Sequence, residues 1–134
     1  MSRSGYVDDL ENWQLIMWRG AVKSAMRGKR GQAFFKEALA ALDAMPEKRL
    51  IANTLEADGE FCLLGALGHH KNMDVSKLDP EDSELVSDQF NIADALAREA
   101  VFMNDEGAYY DETPEQRWIR MRKWVESNIE VKDD

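Results

Sequence analysis

Residues 8–32, DDLENWQLIMWRGAVKSAMRGKRGQ, leave this chain few ways to fold. A helix over 8–26 puts Leu10, Trp13, Met17, Ala21 and Ala25 on one side, and Trp18 and Val22 widen that side. A face of that breadth has to be covered by other elements. Arg19, Lys23 and Arg27, spaced i, i+4, i+8, lie together on the opposite side. Gly28, Lys29, Arg30 and Gly31 follow as a turn. From Arg19 to Lys36 there are six basic residues and no acidic one.

Two readings of this basic stripe stand side by side. In one, the cations and the start of the next helix hold a phosphate or an acidic partner. In the other, they complement the helix dipole, since Asp8, Asp9 and Glu11 stand at the N-terminal end and the bases at the C-terminal end. The charge of the whole chain sharpens the contrast. It carries a formal net charge of −9 over 134 residues, so on average it repels nucleic acid, and any nucleic-acid contact has to be local.

The length suits one domain, with residues 1–7 and 131–134 as loose ends, and 44% hydrophobic residues are enough for a core. The single Cys62 excludes an internal disulfide and fits a reducing cytoplasm. Residues 1–6 do not read as a signal peptide, and no apolar run approaches the ~20 residues of a membrane span.

Beyond the first helix, the spacing of Phe35, Ala38, Leu39 and Leu42 predicts a second helix over 31–44, stopped by Pro46 and paired with the first as a hairpin. Residues 50–55 fit a helix or a strand. The turn signal at Ala57-Asp58-Gly59-Glu60 predicts a small β-hairpin from 54–57 and 60–62. Residues 63–70 read as a short buried helix in which Gly65, Ala66 and Gly68 permit close packing. Asp79-Pro80 reads as a helix start and Asn91 as the cap of the following helix, with Ile92, Leu96, Ala100 and Met103 as its apolar stripe. Residues 104–112 read as an acidic loop. Thr113-Pro114-Glu115-Gln116 is a capping box that opens the last helix, with Trp118, Met121, Val125 and Ile129 inward. The expectation is a mainly α bundle of about five helices with at most one small β-hairpin near 54–62.

Chemistry-bearing residues are few. One Cys and two adjacent histidines, His69 and His70, are a thin supply for a metal site. Cys62, between Phe61 and Leu63, reads as a small core residue. The acidic loop lacks the ligand order of an EF-hand. There is no GxSxG, P-loop, GxGxxG or HExxH signature. No catalytic residue, metal or cofactor is expected. Arg117, Arg120, Arg122 and Lys123 make a second basic patch. Trp124, Tyr109 and Tyr110 beside it resemble a partner-binding cluster, or Trp124 packs on the helical hairpin.

The chain resembles uncharacterised short proteins encoded in bacteriophage and prophage genomes. The resemblance rests on GYVDDLENWQLIMWRGAVKSAMRGKRGQAFFKEALAALDAMPEKRLI, EADGEFCLLGALG and FMNDEGAYYDETPEQRWIRMRKWV. It is more loosely similar to small bacterial domains with a CLLGAL-type helix, a later Asn-Asp pair and a Thr-initiated last helix, here residues 62–67, Asn104-Asp105 and Thr113. The resemblance implies a phage origin and action in the cytoplasm of an infected or lysogenic bacterium, and it carries over no catalytic residue.

Three functional expectations follow. The first is a non-enzymatic phage accessory protein that takes part in host takeover by binding a host or phage macromolecule, such as an inhibitor that offers its acidic surface to a host defence protein. The second is a nucleic-acid-binding module using Arg19, Lys23, Arg27, Lys29 and Arg30, with Arg120 and Lys123. The third is a small hydrolase-like enzyme using His69 or His70 with a carboxylate, which requires a deep pocket.

Overall fold

A computed structural model describes residues 12–106 and 111–130 of the chain. Among them are six helices and one hairpin, in the order α1 Asn12–Arg27, α2 Lys29–Ala44, β1 Glu56–Ala57, β2 Glu60–Phe61, α3 Leu63–His70, α4 Ser83–Phe90, α5 Asp94–Glu106 and α6 Pro114–Ser127. The molecule is mainly α, and none of the described helices is long and apolar enough to cross a membrane.

Helix α2 lies at the centre because both of its flanks are apolar. Phe34, Phe35, Ala38, Ala41 and Leu42 are buried, and the helix packs against α1, α3 and α6. Helix α5 covers the other side of the core, touching α1, α3, α4 and α6. The small residues of α3 act as the sequence suggests. A Cβ on Gly65 would stand 1.9 Å from the Leu55 carbonyl oxygen, so only glycine allows residues 50–55 to cross there. Those residues form neither helix nor strand. They run as an irregular segment whose Leu50 and Leu55 are fully buried. The two-residue strands are antiparallel, with Glu56 opposite Phe61, and turn at Asp58 and Gly59, both left-handed at φ 55° and 79°.

The irregular segment is held by three backbone hydrogen bonds, Leu50 N–H to Pro114, Ile51 N–H to Phe61 and Cys62 N–H to Leu55, and by side chains. Asn104 Oδ1 accepts from Leu63 N–H (3.1 Å), while its Nδ2 donates to the Ile51 carbonyl (2.9 Å) and to Asp105 Oδ1 (2.8 Å). Asp105 Oδ1 also accepts from Asn53 N–H at 3.0 Å. From the other side, Arg117 donates to the carbonyls of Asn104 and Leu50.

Four expectations need correction. Met17 and Ala21 are exposed: α1 is rolled so that Val22 is buried and Trp18, Ala25 and Met26 are half-buried. Leu10 and the Trp13 side chain lie outside the described residues. Asp79 does not cap α4. It accepts from Glu81 N–H in a local turn, and Asp82, accepting from Leu85 N–H, is the N-cap three residues later. Asn91 closes α4 in the left-handed conformation (φ 54°) rather than opening α5. Asn104 belongs not to a loop but to the last turn of α5, where it is 2% exposed. The capping box at Thr113 is present with both of its hydrogen bonds, 3.1 and 2.9 Å.

Replacing Asn104 by Ala removes three side-chain hydrogen bonds and strands a buried N–H. The expected loss is about 3 kcal/mol in urea unfolding, larger than for Ala at any exposed polar site. A loss below about 1 kcal/mol would show that the segment is held by packing instead.

Candidate functional site

The basic residues singled out in the sequence separate into two groups in space. On α6 they are used internally. Arg120 donates to both oxygens of Glu112 (2.7 and 3.0 Å) and to the carbonyls of Met103 and Asn104. Arg117 lies 3.4 Å from the same carboxylate, whose side chain is only 9% exposed. Glu112 is therefore an interior counter-ion joining α6 to the end of α5, not a solvated loop charge. Arg122 clasps Asp43 of α2 with two hydrogen bonds, which hold the Asp43 carboxyl below its ordinary range and raise the arginine. Arg120 is thus withdrawn from the expected partner-binding set by its internal bonds. Lys123 remains exposed, and Tyr109 and Tyr110 lie outside the described residues.

On α1 the cations face outward. Arg19, Lys23 and Arg27 are all exposed, as are Lys29 and Arg30 in the first turn of α2. Among the described residues, Arg19 and Lys23 make no ion pair, and Arg27 has one loose contact, 3.5 Å to Glu130, with both side chains more than half exposed. Arg30 reaches Asn91 Oδ1 at 3.4 Å. Beside Arg19 and Lys23 runs a groove of about 530 Å³ between α1, α5 and α6, lined by Trp18, Val22, Met26, Glu99 and Trp124. Trp124 is seated edge-on against Phe35 of α2, with ring centroids 5.3 Å apart, so it packs on the helical hairpin and walls the groove at once.

The remaining feature of this face was not legible in the spacing. Ile16 and Met17 are 66% and 63% exposed, matched among the big apolar side chains of the described residues only by Ile119 of α6 at 63%. A signal was present: residues 15–18, Leu-Ile-Met-Trp, sweep some three-quarters of the helix circumference, more than a two-layer packing can cover. Roll, not composition, decides which of them stays outside.

The histidines stand apart from Cys62. His69 and His70 are exposed at the C-terminal end of α3, and His69 stacks on Phe61 at 4.8 Å. Cys62 is buried at the other end of the same helix, as its N-cap, with Sγ accepting from Gly65 N–H. Burial pushes its thiol up to about 12, far from a reactive thiolate. No cluster of three His, Cys, Asp or Glu side chains suited to a metal ion occurs among the described residues. The concavity beside His69 and His70 is an open groove of about 580 Å³, with both imidazoles exposed at the end of α3. Comparison with protein-family models, with characterised proteins and with solved structures finds no match to this chain.

The Cys62 thiol makes stability fall with alkaline pH. Its pKa is raised from 9.0 to about 12, so the folded chain holds a proton that the unfolded chain releases above pH 9. The native state should weaken as pH rises from 9 towards 12. A Cys62→Ser chain, which puts a capping hydroxyl in place of the capping sulfur and does not titrate there, should lack this component in paired urea titrations. Equal slopes for the two chains would refute it.

Proposed function

We propose that this chain is a non-enzymatic accessory protein of bacteriophage origin that grips a host or phage protein with the outer face of α1. The observation that carries the reading is Ile16 and Met17, about two-thirds exposed, on the helix that also presents the unpaired cations Arg19 and Lys23. Apolar side chains left out together, flanked by arginine and tryptophan, have the make-up of an interface centre. The groove beside them suits a helix laid along α1, with apolar anchors against Trp18 and Trp124 and carboxylates on Arg19 and Lys23. The partner's matching surface is therefore acidic and amphipathic. Elsewhere the net charge of −9 repels such a surface, so electrostatics directs it to this face.

A second reading is supported by the exposure of all five cations of the stripe, Arg19, Lys23, Arg27, Lys29 and Arg30: a phosphate backbone laid along α1 and the turn after it. Single substitutions separate the two. Met17→Asp adds a negative charge to an exposed apolar position and should cut capture of the protein partner from a host lysate at least tenfold. Against a short duplex at low salt, Lys23→Glu should weaken binding more than Met17→Asp if the second reading is right. Under the first reading both substitutions abolish capture, duplex binding is absent in the parent chain, and thermal stability is unchanged. Undiminished capture by Met17→Asp would reject the α1 interface.

A further inference from the structure

A second concavity, separate from the α1 face, lies where the ends of two helices meet the hairpin turn. It has a volume of about 580 Å³ between the last turn of α2, residues 59–61 and the last turn of α3. Its floor is apolar and built of small side chains: Ala41 and Ala66 are buried, and Met45 and Phe61 close the sides. The space exists because alanines stand where larger residues would fill it. An aromatic wall is already assembled, since the Phe61 ring and the His69 imidazole are stacked 28° from parallel.

The charges around the groove are mixed, and the last turns of α2 and α3, helix ends that carry partial negative charge, contribute to its lining. Glu47 and Glu60 line the rim. Arg49, also in the lining, is paired with Glu60 (2.6 Å) and lies 3.6 Å from Glu115. Glu47 makes no ion pair among the described residues. The protein itself places an ammonium group at one of these helix ends: Lys48 Nζ sits 2.6 and 2.7 Å from the carbonyls of Asp43 and Met45.

We infer that this groove binds a small organic cation, an ammonium group on an apolar body the size of one ring, with the body on Ala41, Ala66 and Phe61 and the charge towards Glu47. The ring stacks on the Phe61–His69 wall, and the ammonium meets the Glu47 carboxylate and the aromatic face together. The inference is independent of the α1 interface, which shares no residue with this groove.

The test compares two probes of equal shape and opposite charge, phenethylammonium and 3-phenylpropionate, titrated into the full chain at mildly alkaline pH, where free imidazole is neutral. Backbone amide resonances report the site. The ammonium probe should saturably shift residues 41–49 and 59–70, and the carboxylate probe should not. Glu47→Lys should weaken the ammonium probe about threefold to fivefold, the scale of one exposed charge pair. Asp88→Lys, an equal change of net charge on α4, should leave it unchanged. Ala44→Trp, a surface position on the last turn of α2, should fill the groove and abolish the shifts while the far-ultraviolet dichroism stays that of the parent. Equal responses to both probes, no saturable shift, or binding indifferent to both Glu47→Lys and Ala44→Trp would overturn the inference.

Discussion

The fold depends on one buried amide. Asn104 meets two backbone groups that have no regular partner: the first N–H of α3 and the carbonyl of Ile51 in an irregular segment. A buried donor or acceptor without a partner costs more than an ordinary hydrogen bond contributes. An amide is the right group for the place, since it accepts with one atom and donates twice with the other. Asp105 and Arg117 extend the same function outward, so the end of α5 ties α3, the 50–55 segment and α6 into one unit. Gly65 completes it from the other face by letting the Leu55 carbonyl pass close over α3.

Basic residues serve two purposes here, and burial separates them. Arg117 and Arg120 on α6 meet a carboxylate and carbonyls that are themselves largely removed from water, where a planar guanidinium can satisfy several acceptors at once. On α1, Arg19 and Lys23 are exposed with no carboxylate partner among the described residues, and Arg27 has one loose contact with Glu130. In a chain of net charge −9, a helix face with unpaired cations and exposed Ile16 and Met17 is the exception on the surface, and the interaction reading rests on it.

Much of this was legible in the sequence because it is local. Leu63–His70 follows from small and apolar residues between a turn and a polar loop, and the α6 start follows from a capping box closed within four residues. The Asp58-Gly59 turn needs only the left-handed preference of its two residues. The α4 start was misjudged because Asp79 and Asp82 offer the same short side chain, and both make local turns. Only the next residues' place in the fold decides which turn continues as a helix.

From the sequence alone came the mainly α class, the consecutive helices α1 and α2, the small β-hairpin, and a stripe of cations on α1 facing outward. Those features depend on interactions within a turn or two of chain. The roll of α1, the internal use of Arg120 and Glu112, and the central position of Asn104 were decided by tertiary packing alone, because each depends on groups far apart in sequence whose meeting no periodicity records.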